Sequence, residues 1–182
     1  MNGGAKPPVL VSACLLGLPV RFDGGCRRID TVLGLADSHT VIPVCPEQLG
    51  GLSTPRPPAE IQGRDIAGGG DDAGGRAPSA GVVVTTEDGR DVTAELERGA
   101  RAVADIARLV GARVAVLKAR SPSCGCGETY DGTFTGTLRP GSGVTAALLE
   151  REGVRVLTEN DVPAAGLSIS TGSDGAAAQG DT

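Results

Sequence analysis

Three of the five cysteines share one setting: each follows a valine-rich apolar run and is itself followed closely by proline or glycine. They are Cys14, Cys45 and Cys124. Short β-branched runs of this kind indicate buried parallel strands. Because ligands of open parallel sheets bind beyond the carboxyl ends of the strands, we expect the three thiols to meet at one site. The pattern therefore predicts a metal or redox site.

The spacing of the cysteines leaves the kind of metal open. There is no Cys-x-x-Cys pair, and only Cys124 and Cys126 stand close together. A zinc site could combine Cys14, Cys45 and Cys124 with either Cys26 or Cys126. Three thiolates without a fourth also suit a cluster with one open iron, or a catalytic zinc that keeps a water. The simplest alternative is that each cysteine is a small buried hydrophobic residue.

Other polar residues near these cysteines are weaker candidates for chemistry. Glu47 lies two residues after Cys45 and could act as a general base, although an isolated loop acid is more often solvated. Ser121 and Ser123 precede Cys124 and could bond a substrate or a cluster sulfur, or could cap a turn. Cys26 is followed by two arginines, which would favour a reactive thiolate, but an incidental loop cysteine is the plainer interpretation.

Four basic residues fall near the loops that follow the strands: Arg21, Arg56, Lys118 and Arg120. Cations tune the negative charge of thiolate-ligated clusters, but these four could equally be ordinary surface residues. His39 is the only histidine and is expected to be structural, which argues against Ser-His-Asp or Cys-His catalysis.

Hydrophobic periodicity predicts an α/β fold. We expect strands at 8–13, 40–44, 82–86, 114–118 and 154–157, and helices at 29–37, 94–110 and 144–150. For the longest helix, Thr93 is the expected N-cap and Gly111 the terminator. The glycines before Val144 resemble a helix entry whose amides could bind an anion or a heterocycle. The alternation predicts a small, mainly parallel sheet flanked by helices.

The domain organisation expected from the sequence is a single α/β domain over residues 1–162. Residues 46–80 carry five of the twelve prolines and long glycine runs, so we expect no regular element there and a flexible excursion near 63–80. Residues 163–182 lack core side chains and are expected to form a disordered tail.

Composition narrows the classes of function. The chain has 182 residues, 40% of them apolar but only 2% aromatic, so an aliphatic core is expected. A net charge of −5 argues against general nucleic-acid or membrane-surface binding. Residues 1–6 lack the apolar region of a signal peptide, and we expect a cytoplasmic protein with reduced thiols.

Six short segments, taken in order, resemble the DUF523 family, whose characterised members are thiouracil desulfidases. The match runs over about residues 9–157, and the combination of segments is far more specific than any one of them. The segments are Ser12–Gly17, Pro43–Glu47, Pro55–Arg56, Asp91–Thr93, Ser121–Gly125 and Tyr130–Phe134.

The resemblance implies a [4Fe-4S] cluster held by Cys14, Cys45 and Cys124, with Glu47 and Ser121 as catalytic residues. It further implies a C–S bond hydrolase that converts 2-thiouracil or a related thiolated heterocycle to uracil and hydrosulfide. The thione sulfur would bind the open iron, Glu47 would activate water, and Ser121 would orient or protonate the ring.

The sequence alone leaves two other functions open. One is a non-catalytic zinc- or cluster-binding module, and the other is a sulfurtransferase that carries a persulfide on Cys26. The sequence does not distinguish a thiobase from a thionucleotide substrate, and it leaves the oligomeric state open.

Overall fold

The computed structural model describes residues 5–62 and 82–162. The predicted excursion at 63–80 and the predicted tail at 163–182 lie outside the described residues, so the division into domain and tail stays a prediction. The elements are, in chain order, β1 (Pro8–Ser12), a 3₁₀ helix (Ala13–Leu16), α1 (Asp30–Leu33), a second 3₁₀ helix (Gly34–Asp37), β2 (Thr40–Val44), α2 (Pro46–Leu49), β3 (Ala59–Gln62), β4 (Val83–Thr86), α3 (Thr93–Val110), β5 (Val114–Leu117), β6 (Glu128–Tyr130), β7 (Leu138–Pro140), α4 (Val144–Arg151) and β8 (Arg155–Thr158).

The central sheet has four strands in the order β2-β1-β5-β8, and every neighbouring pair is parallel. The two inner strands, β1 and β5, are buried along almost their whole length, which explains their continuous apolar sequence. On one face, Leu10 and Leu117 pack with side chains of α3 and α4. On the other, Val9 and Val11 pack with the 3₁₀ helices and α1. The predicted α/β class, a mainly parallel sheet flanked by helices, is confirmed.

The predicted strands and helices outside 46–80 are found with small shifts at their ends. The predicted helix at 29–37 divides into α1 and the second 3₁₀ helix. The expectation of no regular element in residues 46–80 is wrong, because α2 and β3 both lie there. Pro46 occupies the first turn of α2, where its missing N–H costs nothing, and β3 is held by antiparallel pairing with β4. Among the described helices, none is both long and apolar enough to cross a membrane.

The start of α3 differs from the sequence expectation. Thr93 is not the N-cap, because Val92 occupies that position, and the Val92 side chain makes no capping hydrogen bond. Instead the Thr93 hydroxyl accepts the N–H of Val84 at 2.9 Å and lies 2.6 Å from Oδ1 of Asp91. The residue therefore ties α3 to β4. Gly111 ends the helix in a left-handed conformation with φ 70°, as predicted.

Two glycines allow α2 to lie directly against the backbone of α3. A Cβ at Gly99 would lie 1.8 Å from the carbonyl oxygen of Pro46, and a Cβ at Gly50 would lie 1.9 Å from that of Glu95. No side chain fits between the two helices here. The contact sets the position of α2, which begins immediately after Cys45.

We predict that Gly99→Ala destabilises the protein by about 1–3 kcal/mol, because the added methyl group must push the backbone of α2 away from α3. The midpoint of denaturant unfolding measures this loss. Gly34→Ala is the matched control, since Gly34 has φ −59° and no neighbour within 4 Å of an added Cβ. The control should keep or slightly raise the free energy of unfolding. Equal midpoints for Gly99→Ala and the wild type would contradict the close contact.

Candidate active site at the carboxyl edge of the sheet

A cavity of about 530 Å³ opens beyond the carboxyl ends of β1, β2 and β5. All five residues predicted as site residues line it: Cys14, Cys45, Cys124, Glu47 and Ser121. None of the three thiols is in a disulfide. The structure thus gathers at one edge of the sheet side chains that are more than 100 positions apart in the sequence.

Each cysteine is placed by the element next to it. Cys14 lies in the 3₁₀ helix directly after β1, and Cys45 lies between β2 and α2. Cys124 follows β5 after a short loop and is 6% exposed, against 8% for Cys14. The Oγ of Ser12 accepts the N–H of Lys118 at 3.0 Å and donates to the Cys124 sulfur at 3.5 Å. The ends of β1 and β5 are therefore tied together beside the thiols.

The loop that carries Cys124 is held by its own serine and by α4. Ser121 Oγ accepts the N–H groups of Ser123 and Cys124 at 3.2 and 3.1 Å. The first amides of α4, at Val144 and Thr145, donate to carbonyls of this loop at 2.9 Å. These amides are consequently not free for an anion or a heterocycle, and the binding role expected for that helix entry is wrong.

Ser123 has a structural position. Its side chain is fully buried, and its Oγ lies 2.9 Å from Oγ1 of Thr145. It does not line the cavity, whereas Ser121 does. Of the two serines that the sequence left as alternatives, only Ser121 faces the space where a ligand could lie.

Burial dominates the acid–base behaviour of the thiols. It raises the pKa of Cys14 to about 11, with a further increase from Cys45 that Lys118 and Arg21 partly offset. Burial also raises the pKa values of Cys45 and Cys124, and the Ser12 hydroxyl works against this at Cys124. Without a metal the three groups are thus neutral thiols at ordinary pH. Binding of a metal would have to release their protons.

The arrangement of the possible metal ligands distinguishes a single metal ion from an iron–sulfur cluster. Among the described residues, no three His, Cys, Asp or Glu side chains are close enough together to hold one ion. A cubane cluster takes each cysteine on a different iron, so its thiolates stand further apart than the ligands of a single ion. Cys14, Cys45 and Cys124 all line one cavity, an arrangement that suits a cluster better than a single ion.

The zinc alternative with a fourth cysteine does not fit the structure. Cys26 is exposed, and neither Cys26 nor Cys126 lines the cavity. The sulfur of Cys126 instead lies 3.4 Å from Oε1 of Glu150 on α4. Neither thiol is placed to complete a site with the other three.

Glu47 is held by Arg56, one of the four basic residues noted in the sequence. Glu47 Oε2 lies 2.6 Å from the guanidinium, whose side chain is 7% exposed. The other carboxylate oxygen, Oε1, lies 3.4 Å from Ser121 Oγ. Glu47 therefore has one oxygen fixed by a cation and the other directed toward the serine and the cavity.

The guanidinium of Arg56 is also bonded to the surrounding backbone. Nη1 donates to the Ser53 carbonyl and to Thr54 Oγ1, both at 3.0 Å, and Nη2 donates to the Val20 carbonyl at 3.2 Å. With its donors committed in this way, Arg56 positions Glu47 and is not available to a ligand. In the sequence, the signal for Arg56 is its position in the Pro55–Arg56 segment.

All four basic residues noted in the sequence line the same cavity: Arg21, Arg56, Lys118 and Arg120. Lys118 Nζ is paired with Glu159 Oε1 at 2.6 Å, and Arg21 is paired with Asp23 at 3.1 Å. Arg56 and Arg120 are likewise paired, with Glu47 and Glu128, so each of the four cations faces a carboxylate. The lone histidine is elsewhere: it is buried, with Nδ1 2.8 Å from Ser38 Oγ.

Some residues that line the cavity were not predicted as site residues. Ser12, Arg27 and Glu60 belong to the cavity wall, and Glu60 comes from β3, a strand that was not expected. Ser12 belongs to the Ser12–Gly17 segment, but nothing in the sequence marks it, Arg27 or Glu60 as part of the site. Glu60 enters the site only through the antiparallel pairing of β3 with β4.

Fold and site together define an α/β protein with a cavity lined by cysteines at the carboxyl edge of a parallel sheet. The sequence profile of the family described as 2-thiouracil desulfurase matches residues 9–161. This chain belongs to that family, and the resemblance stated from the motifs is confirmed.

Two similar proteins are informative. The uncharacterized protein YbbK of Bacillus subtilis (strain 168) is 43% identical over 154 residues, which cover 85% of this chain and 97% of that protein. A solved structure titled as the [4Fe-4S]-dependent thiouracil desulfidase TudS (DUF523Vcz) is 42% identical, with a TM-score of 0.70. The likeness covers 87% of this chain and 94% of that one.

We predict that in the metal-free protein Cys14 reacts with iodoacetamide far more slowly than Cys26 near neutral pH. The thiolate is the reactive form, and a raised pKa of about 11 leaves little thiolate at Cys14 until the pH approaches that value. Its alkylation rate should therefore climb as the pH rises toward 11. Timed alkylation followed by peptide mass spectrometry measures both rates, with Cys26→Ser as the control for assignment. Equal rates at neutral pH would contradict the burial of Cys14.

Proposed function

We propose that this protein is a [4Fe-4S]-dependent desulfidase that hydrolyses the C–S bond of 2-thiouracil or a related thiolated heterocycle. The products are uracil, or the matching oxo compound, and hydrosulfide. The observation that carries the proposal is the meeting of three thiols, two of them buried, with Glu47 and Ser121 around one cavity. Membership of the 2-thiouracil desulfurase family and the likeness to a thiouracil desulfidase support it.

In this proposal Cys14, Cys45 and Cys124 hold the cluster. When bound, the cluster supplies a Lewis-acidic iron with affinity for soft sulfur, which favours a thiocarbonyl over a carbonyl. The cavity holds three thiols within the described part of the chain, so one iron is left for a ligand other than cysteine. Lys118 and Arg21 beside Cys14 offset the negative charge of thiolate ligands.

Glu47 acts as the general base. Arg56 occupies Oε2, so Oε1 is the oxygen that can take a proton from water in the cavity. Arg56 holds this carboxylate in one orientation through its other bonds to the chain. Water deprotonated by Glu47 adds to the thiocarbonyl carbon and forms the C–O bond. The C–S bond then breaks and sulfur leaves as hydrosulfide, with no net oxidation or reduction.

Ser121 acts as a proton donor or orienting group. Its oxygen already accepts two backbone N–H groups, at Ser123 and Cys124, so its remaining capacity is to donate its own proton. That proton can be directed to Glu47 Oε1, 3.4 Å away, or to an acceptor atom of the substrate ring. The serine therefore links the base to the heterocycle.

The cellular setting that suits this chemistry is the cytoplasm. All five cysteines are free, as expected where thiols stay reduced. The acidic chain, with its net charge of −5, fits a small-molecule substrate better than nucleic acid or a membrane surface.

We predict that anaerobic reconstitution gives about four irons and four sulfides per chain, and that the loaded protein releases sulfide from 2-thiouracil. Alanine at Cys14, Cys45 or Cys124 should abolish cluster absorbance and turnover, because each removes one ligand. Cys26→Ser and Cys126→Ser are the matched controls, since neither side chain lines the cavity. A single tightly bound zinc with no turnover would instead support the non-catalytic module. Loss of activity in Cys26→Ser with the metal dispensable would support a persulfide carrier.

We predict that Glu47→Gln lowers kcat by about 100-fold or more while cluster content and absorbance stay those of the wild type. The amide keeps the size of the side chain but cannot accept the proton from water. Anaerobic sulfide-release kinetics with iron analysis on the same samples measure both quantities. Full activity of this variant, beside inactive Cys45→Ala, would remove Glu47 from the mechanism.

A further inference from the structure

Glu60 is the second acidic side chain that lines the cavity, besides Glu47. It lies on β3, on a different element from any of the thiols, and is only 8% exposed. The mechanism above does not use it. A carboxylate that is buried to this extent requires hydrogen-bond partners for its oxygen atoms.

Only one oxygen of Glu60 has such partners. Oε2 accepts the backbone N–H groups of Gly132 and Phe134, both at 3.0 Å, in the turn between β6 and β7. Oε1 has no hydrogen-bond partner in the part of the chain that the structure describes, and no cation of the cavity is paired with this carboxylate there. Two fixed amides hold the side chain in one place, so Oε1 is a preorganised acceptor in the wall of the cavity.

We propose that Glu60 is a specificity-determining residue whose Oε1 accepts a ring N–H of the thiolated heterocycle. The inference rests on the proposed function. 2-Thiouracil has two ring N–H groups, and both flank the thiocarbonyl carbon. An N–H donor satisfies the free oxygen, whereas a ring methylated at that nitrogen leaves it buried without a partner.

A purely structural role for Glu60 would be to anchor the turn between β6 and β7. Gln62 provides the comparison, because it lies on the same strand and its Nε2 donates to the Gly132 carbonyl at 2.9 Å. Gln62 does not line the cavity. A variant at Gln62 therefore loosens the same turn without changing the cavity wall.

The test is steady-state kinetics of the anaerobically loaded wild type, Glu60→Gln and Gln62→Ala with three substrates: 2-thiouracil, 1-methyl-2-thiouracil and 3-methyl-2-thiouracil. We expect Glu60→Gln to raise KM for 2-thiouracil by about tenfold or more, with kcat changed much less. One of the two methyl isomers carries its methyl group on the nitrogen that donates to Glu60, so it cannot form this hydrogen bond. For that isomer, Glu60→Gln should leave KM unchanged. Gln62→Ala should show the wild-type pattern. Equal KM values for 2-thiouracil in Glu60→Gln and the wild type, or an equal rise with all three substrates, would overturn the proposal.

The affinity of the same cluster-loaded proteins for uracil, measured by calorimetry, tests the role of Glu60 independently of the proposed function. Uracil has the same two N–H groups and no sulfur, so its affinity does not depend on turnover. Weaker uracil binding in Glu60→Gln but not in Gln62→Ala supports the role of Glu60, whether or not 2-thiouracil is turned over. A loaded wild type that does not turn over 2-thiouracil overturns the proposed function. Normal turnover with unchanged uracil affinity and KM overturns only the role of Glu60. Absence of both binding and turnover in the wild type overturns both.

Discussion

The site depends on the parallel pairing of β1 with β2 and β5. The register places Ser12 beside Val44, so the chain leaves both strands at the same edge, and the next residues deliver Cys14 and Cys45 there. The Ser12 hydroxyl then bonds the backbone after β5 and the sulfur of Cys124. A shift of one residue in either pairing would turn the strands over and separate the thiols.

The ion pair between Glu47 and Arg56 contributes differently to the stability of the fold from the ion pairs on α3. Exposed pairs such as Arg108 with Asp105 contribute little, because water and salt screen them. Loss of one partner from a buried pair costs about 3–5 kcal/mol, since the other charge is left without compensation. The 7% exposure of Arg56 places its pair toward the buried class. The contact that orients Glu47 thus also contributes to stability.

Basic side chains collect around the thiols, each of them paired with a carboxylate. The chain is acidic overall, yet Arg21, Lys118, Arg120 and Arg56 all reach the cavity. Burial disfavours thiolates, and nearby cations lower that cost. The two acids in the wall, Glu47 and Glu60, are fixed by a guanidinium and by backbone amides respectively. Each acid therefore leaves one oxygen toward the cavity.

The sequence by itself determined the α/β class, the central strands, the long helix and the three strand-end cysteines, because hydrophobic periodicity and strand-end cysteines are local signals. Glu47 and Ser121 were singled out as catalytic only through the resemblance to a family. The sequence did not determine the helix and strand within 46–80, or the contributions of Arg56 and Glu60 to the cavity. Those depend on contacts between segments distant in the chain, such as the pairing of β3 with β4 and the contact of Gly99 with Pro46. Only the tertiary structure decided which thiols face the cavity, because burial and direction are properties of the packed molecule.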